Sequence, residues 1–216
     1  MQSDRITVTN TGEGMTAALD QAAASAAYRG LSGKAALHLR LLAEEMLGMV
    51  RQITGETQAE FWVQSEGSCY ELHLLARPVI TGEMRRELLS VSSSGKNAAA
   101  VGVMGKLRDI IECAFDSTTL SNPAGDVSYF TQGLMYSGTD TIDPMAYALN
   151  ATLGSGEANW SMKKYKAAVE KEKAEDEVAR EEWDELEKSI VANIADEITI
   201  SIRSGMVEMI VYKEFA

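Results

Sequence analysis

The sequence predicts an α+β fold, a two-layer α/β sandwich in which a mixed, mostly antiparallel sheet carries helices on one face. Alternating runs rich in β-branched residues lie at both ends of the chain and in its middle, and helical spacing of apolar residues fills the intervals. Two pairs of these runs are separated by short glycine-containing loops, which join antiparallel neighbours. Strands segregated from helices in this way are typical of a layered α+β domain.

The N-terminal elements are a strand followed by two helices. Residues Arg5–Thr9 alternate and are rich in β-branched side chains, which predicts a strand. Apolar residues from Met15 to Ala26 follow helical spacing, and Gly30 is placed to end that helix. The clearest helix of the chain then runs from about Lys34 to Ile53. Its apolar stripe consists of Leu39, Leu42, Met46, Met49, Val50 and Ile53.

Two hairpins are predicted from paired alternating runs. The first joins Ala59–Val63 to Cys69–Ala76 through a loop that contains Gly67. The second joins Glu197–Arg203 to Met206–Lys213 across a Ser-Gly turn, and it is the strongest hairpin signal in the sequence. These hairpins supply most of the predicted sheet.

The stretch between the hairpins is predicted in three parts. Residues Ser90–Asn97 are small and hydrophilic, and they lead into a helix from Ala98 to Phe115. From Ser117 to Gly156 the pattern weakens, which indicates irregular or short-strand structure. Glu, Lys and Ala dominate from Trp160 to about Asp196, which predicts one long, mostly solvated helix with its apolar face at the C-terminal end.

The first half of that long charged helix lacks an apolar face wide enough to bury. We therefore expect it to project into solvent or to lie against another chain, such as a second copy in a homodimer. Trp160, Tyr165 and Val169 are the apolar residues that a partner would cover.

Composition excludes several classes of partner. The chain carries 32 acidic and 20 basic side chains, a formal net charge of −12. A surface of this charge repels phosphate backbones and anionic lipids, which argues against nucleic acid and membrane partners. Cys69 and Cys113 are too few for a disulfide framework or a cysteine zinc site. Because no long apolar run and no signal-peptide layout is present, the sequence predicts a cytoplasmic protein.

Two glycine–lysine pairs are candidates for anion binding. Gly95-Lys96 and Gly105-Lys106 suggest a phosphate loop, but neither fits the pattern G-x-x-x-x-G-K-[ST]. A polar loop entering a helix nevertheless exposes backbone N–H groups that suit an anion, with Lys96 beside them. The alternative is a solvent loop whose serines and Asn97 only cap the helix.

Glu45 is the candidate for acid–base chemistry. It borders the apolar stripe of the Lys34–Ile53 helix, and a carboxylate held against an apolar wall can be tuned as a base. The alternative is a solvated or paired carboxylate. His38 and His73 have no ligand-spaced partners, so the sequence predicts no metal site.

The helix Leu39–Ile53 resembles the acidic N-box helix of the histidine-kinase-like (GHKL) ATPase superfamily, which includes gyrase, sensor histidine kinases and anti-sigma-factor serine kinases. The order of elements in this chain is most similar to the anti-sigma-factor kinases, over residues 5–115 and 195–215. The resemblance implies one domain over residues 1–216 with a Bergerat-like fold, and it makes residues 117–195 look like an insertion that contains the long charged helix.

The resemblance also implies a nucleotide site with altered motifs. Glu45 corresponds to the glutamate that activates water, whereas the asparagine that holds magnesium falls on Met49. No aspartate follows Ala76 where the family reads adenine. ATP is therefore the implied ligand, and the altered motif leaves magnesium without its usual protein ligand. The implied nucleotide-binding residues are Gly95, Lys96, Asn97, Gly102, Gly105 and Lys106.

Two functions follow from these observations. In the first, a regulatory protein of this fold binds ATP with weak or no catalysis and acts on a protein partner. In the second, the same fold has lost nucleotide and serves only as a protein-interaction module. The remaining interpretation is that the chain is an α/β protein unrelated to this superfamily.

Overall fold

The computed structural model describes residues 1–53, 57–78, 103–108, 149–152, 157–203 and 206–215. The strands are β1 (Ile6–Thr9), β2 (Thr57–Glu66), β3 (Cys69–Pro78), β4 (Leu149–Thr152), β5 (Glu157–Ser161), β6 (Glu197–Arg203) and β7 (Met206–Glu214). The helices are α1 (Met15–Tyr28), α2 (Gly33–Arg51), α3 (Met162–Glu172), α4 (Glu177–Lys188) and α5 (Ile190–Ile194). Residues 103–108 are also helical.

The described strands form one seven-stranded sheet in the order β1-β2-β3-β7-β6-β5-β4. Every neighbouring pair is antiparallel. The central pairing of β3 with β7 runs from Cys69 opposite Glu214 to Ala76 opposite Val207. Together with the helices, this sheet confirms the predicted α+β sandwich.

Both predicted hairpins are confirmed. In the first, Glu66 pairs with Cys69, so the loop shortens to Gly67 and Ser68 and both strands are longer than predicted. Gly67 has φ 58°, a left-handed conformation that glycine adopts without a Cβ penalty. In the second, Arg203 pairs with Met206, which places β6 and β7 side by side in the same sheet.

The inner face of the sheet and the helices share one hydrophobic core. In the strands whose side-chain burial is described, alternate residues point inward, as the period of two requires. The fully or nearly fully buried side chains of the central strands and of α2 include Phe61, Leu72, Leu74, Ile198, Ile200, Met209, Leu39, Leu42 and Met46. Each such side chain stabilises the fold by about 1.5–3 kcal/mol.

The outer face of the sheet is polar around one aromatic stack. Trp62 and the His73 ring lie parallel, with centroids 4.6 Å apart, and the Arg5 guanidinium lies 4.1 Å from the centre of the Trp62 ring. His73 Nδ1 is 3.2 Å from Glu208, and its Nε2 is 3.2 Å from Glu71. Because both ring nitrogens of His73 contact carboxylates, we assign this histidine a structural role.

The long charged helix predicted from Trp160 to Asp196 is wrong. Trp160 lies in β5, and the rest of the segment forms α3, α4 and α5, separated by a turn at residues 173–176 and by Ser189. The Ser161 hydroxyl accepts a hydrogen bond from the Lys164 N–H and begins α3, and the Ser189 hydroxyl accepts one from the Ala192 N–H and begins α5. These caps divide the segment where composition alone indicated one helix.

The predicted role of Trp160, Tyr165 and Val169 as residues for a partner to cover is also wrong. Their exposed fractions are 1%, 0% and 0%, because Trp160 points inward from β5 and α3 lays Tyr165 and Val169 on the core. Strand β5 pairs with β6 in the main sheet. The described residues of segments 157–203 and 206–215 are therefore integral to the fold and not an appended helix.

Two other predictions lie mostly outside the described residues. The loop Ser90–Asn97 falls there entirely, and of the helix predicted from Ala98 to Phe115 the structure describes residues 103–108. Of the weakly patterned stretch Ser117–Gly156, it describes only β4.

Replacing Gly14 with alanine should strongly destabilise the fold. Gly14 caps α1 with φ 74°, and a Cβ there would lie 1.9 Å from the Thr7 carbonyl oxygen of β1. Strain and the backbone clash should lower the free energy of unfolding by about 2–4 kcal/mol, measured by urea denaturation. Gly48→Ala is the matched control, because open space surrounds that helical glycine, and it should stabilise by about 0.5–1 kcal/mol. Equal effects of the two substitutions would contradict this account.

Asp196 should make stability depend on pH in the acid range. Its carboxylate accepts hydrogen bonds from the Glu214 N–H at 2.6 Å and the Lys213 ammonium at 2.8 Å. Burial alone would raise the pKa of Asp196, but these donors outweigh burial and hold it below its ordinary value. The stabilisation is thus present at neutral pH and lost as pH falls through the lowered folded-state pKa.

Asp196→Asn should therefore cost about 0.5–1 kcal/mol at pH 7, a modest value because the side chain is partly exposed. The difference from the wild type should persist below the ordinary pKa of aspartate and vanish only once the pH falls below the lowered folded-state pKa, as urea denaturation at a series of pH values would show. A difference that persists unchanged in acid would show that the carboxylate charge is not responsible.

Candidate functional site

A cleft of about 350 Å³ lies among the helices, between α2, the 103–108 helix and the junction of α4 with α5. Its walls combine two carboxylates and one ammonium with apolar side chains. The lining residues are Glu45, Val103, Met104, Glu185, Lys188, Ser189 and Ile190. This cleft brings together segments that are far apart in the sequence.

Glu45 enters the cleft from the flank of α2. Its neighbours Leu42 and Met46 are fully buried, whereas Glu45 is only partly buried. The adjacent Glu44 lies elsewhere on the helix surface, where it accepts a hydrogen bond from Arg40 at 2.9 Å. Of the two consecutive glutamates, only Glu45 lines the cleft.

Lys106 lies beside the cleft and is surrounded by side chains of α3 and α4. Its ammonium nitrogen is 3.1 Å from the Tyr165 hydroxyl, 2.9 Å from Glu182 Oε1 and 3.2 Å from Glu185 Oε2. The Lys106 ammonium donates hydrogen bonds to the Tyr165 hydroxyl and to Glu182 Oε1, whereas its contact with Glu185 is an ion pair without a hydrogen bond. Glu185 belongs both to this cluster and to the cleft wall.

The charges of this cluster follow from its burial. Burial by itself would lower the pKa of Lys106, but its contacts with Tyr165 and Glu182 outweigh burial and raise the pKa above the ordinary value. Burial raises the pKa of Tyr165 in turn, so its hydroxyl is neutral at physiological pH. Glu182 and Glu185 therefore supply the negative charge that holds the Lys106 ammonium.

The cluster contains more carboxylate than one ammonium can satisfy. Glu182 Oε2 is buried, and within the described part of the chain it accepts no hydrogen bond. Two carboxylates face the single charge of Lys106, and Glu45 adds a third to the cleft, against the further ammonium of Lys188. The cleft and its lysine cluster thus carry a net negative charge.

The structure places some of the predicted site residues together. Glu45 lines the cleft, and Gly105 and Lys106 lie in the same short helix as the lining residues Val103 and Met104. Predicted residues outside the described part of the chain are Gly95, Lys96, Asn97 and Gly102. Met49, at the position of the family's magnesium ligand, has an exposed fraction of 2% and belongs to the hydrophobic core.

Sequence reasoning missed the contribution of α4 and α5 to this site. Glu182 and Glu185 are three residues apart, so one face of α4 presents both of them to Lys106. The available signal was the excess of acidic side chains on α4, which favours a counter-ion from another segment.

No protein-family model, curated protein or solved structure matches this chain. The likeness to histidine-kinase-like ATPases therefore remains a prediction. Within the described residues, no group of three or more His, Cys, Asp or Glu side chains is arranged to hold a metal ion. None of the described helices is long and apolar enough to cross a membrane.

Replacing Lys106 with methionine should destabilise the protein, because the carboxylates that pair with Lys106 lose their counter-ion. The substitution leaves Glu182 and Glu185 facing each other in a partly buried site without a counter-ion, which should cost about 2–3 kcal/mol of unfolding free energy in urea denaturation. Adding Glu182→Gln and Glu185→Gln to Lys106→Met should recover most of that loss, since the cluster becomes neutral. A triple variant no more stable than Lys106→Met would refute the ionic explanation.

Proposed function

We propose that this chain is a regulatory protein with a diverged histidine-kinase-like ATPase fold, which binds ATP in the cleft but turns it over weakly or not at all. The observation that carries the proposal is the meeting of Glu45 with Val103 and Met104 in one cleft. Sequence patterns selected α2 and the Gly105-Lys106 segment for different reasons, and Val103 and Met104, which directly precede Gly105-Lys106, line the same cleft as Glu45.

The cleft offers groups that fit a nucleotide in part. Its volume of about 350 Å³ is at the lower end of the range typical of small-molecule sites, about 300–1,000 Å³. Lys106 and Lys188 would hold phosphate oxygens, and Glu45 would lie beside the terminal phosphate, as the resemblance implies. Val103, Met104 and Ile190 provide apolar wall.

Weak turnover follows from the residue at position 49. Phosphoryl transfer needs positive charge to offset the charge that develops on the phosphoryl oxygens, and magnesium usually supplies it. Met49 offers no oxygen ligand, and its side chain is buried in the core. In the proposed complex, Glu45 therefore lies near the phosphates, but α2 holds no metal ion beside it, and turnover is weak.

A second function, a protein-interaction module without nucleotide, has one observation in its favour. Lys106 is already neutralised by Glu182 and Glu185, and the cleft is acidic. Ile190 at the cleft is 46% exposed, which suits a mixed apolar and basic protein surface. In either case we propose a cytoplasmic protein whose partner is a regulatory protein or a second copy of the chain.

A thermal-shift titration separates the two functions. We expect millimolar ATP to raise the melting temperature more than ADP does, with little further change when magnesium is added. Inorganic sulfate at matched ionic strength is the control for general anion effects. Glu45→Gln should retain or strengthen the ATP response, because the substitution removes a negative charge from the cleft.

Two results would contradict the nucleotide proposal. A melting temperature that responds to neither nucleotide would favour the interaction module. Rapid ATP hydrolysis that disappears in Glu45→Gln would instead show a competent enzyme, and weak turnover would then be wrong.

A further inference from the structure

The ammonium of Lys106 is held by a helix that lies outside the segments resembling an ATPase. Its carboxylate partners Glu182 and Glu185 both belong to α4, and the Tyr165 hydroxyl comes from α3. Two of the three Lys106 donors are used by Tyr165 and Glu182, and both carboxylates draw on its single positive charge. A phosphate at Lys106 would therefore compete with α4 for this donor and this charge.

We propose that Glu182 and Glu185 act as an internal competitor for phosphate at Lys106, so that α4 must leave this lysine before a polyphosphate ligand can bind. This inference rests on the proposed nucleotide function and adds a mode of regulation to it. The conformation described here is the closed one, in which α4 occupies the lysine.

A phosphate group can replace the carboxylates of Glu182 and Glu185 at the Lys106 ammonium, because both kinds of ligand bind an ammonium in the same way. Carboxylate and phosphate oxygens both accept charge-assisted hydrogen bonds from an ammonium, and a triphosphate brings more negative charge than two carboxylates. Glu182 Oε2 is buried without a hydrogen-bond donor in the described residues, so release would return a poorly satisfied oxygen to water. The exchange therefore costs less than breaking a fully satisfied ion pair.

The attachment of α4 combines apolar and ionic contacts. Ala179 and Leu186 are buried at 2% and 4% exposure, whereas Trp183 is only partly buried and packs against the Lys173 ammonium at 3.4 Å. The helix contains six acidic and two basic side chains. Leu186 and Trp183 also pack with the hydrophobic core, so the ion pairs with Lys106 add to an apolar attachment of α4.

The test compares two double variants with the same charge change. Glu182→Gln with Glu185→Gln removes the competing carboxylates and keeps the side-chain shapes. Glu177→Gln with Glu181→Gln is the matched control, since both glutamates are exposed on the same helix and neither contacts Lys106. Calorimetric titration with ATP and with inorganic tripolyphosphate at low salt measures the affinity of each.

We expect the first double variant to bind both probes at least about tenfold more tightly than the wild type, and the control to change affinity by less than about twofold. Lys106→Met in the background of the first double variant should remove the gain, which ties it to the lysine. In the wild type, saturating ATP should also speed amide hydrogen exchange across α4.

The outcomes distinguish this inference from the function on which it rests. If the wild type binds ATP as tightly as the first double variant and α4 exchange is unchanged, the competitor is refuted while nucleotide binding stands. If no variant binds either probe, even with the carboxylates neutralised, both proposals are overturned. If the control variant gained as much affinity as the first double variant, the cause would be the overall charge of the protein, and the competitor would likewise be refuted.

Discussion

The pairing of β3 with β7 is the constraint on which the rest of the structure depends. It joins the N-terminal strands β1–β3 to the C-terminal strands β7–β4, and it is the one place where the two halves of the described sheet share a ladder. Leu72 and Leu74 on one strand and Met209 and Val211 on the other line the inner face there. Because side chains alternate, this register determines which residues α2 and α3 must cover, and a slip of one residue would reverse the two faces.

Because the helices cover only one face of the sheet, the sheet then determines where a site can form. The outer face is closed by strand side chains such as Trp62 and His73, which stack on each other and are shielded by Arg5. The inner face is covered by the apolar side chains of the shared hydrophobic core. A cleft with polar walls therefore has to form between helices, and it does so where α2, the 103–108 helix, α4 and α5 meet without filling the space between them.

The sequence predicted the elements whose periodicity is local and unmixed. Helix α2 and both hairpins were predicted because each has one clear period and a glycine at its turn or end. Helical structure over α3 was predicted, but its burial was not, because Tyr165 and Val169 form a narrow apolar stripe among lysines. Short β5 contains Trp160 but no β-branched alternation, so its place in the sheet depends on pairing with β6, a tertiary contact that no local pattern reports.

In the candidate site, too, the sequence predicts which residues are present but not which residues surround them in space. Glu45 and Lys106 were predicted from motif and spacing, but whether a lysine is available to a ligand depends on which charges reach it in space. In a chain with a net charge of −12, a partly buried ammonium close to an acidic helix attracts carboxylates in the absence of any other anion. Glu182 and Glu185 supply that charge from a part of the chain with no counterpart in the resemblance. Lys106 thus joins the 103–108 helix to α4 beside the cleft. If the cleft takes a phosphate as proposed, the same lysine links the stability of the helical layer to the occupancy of the cleft.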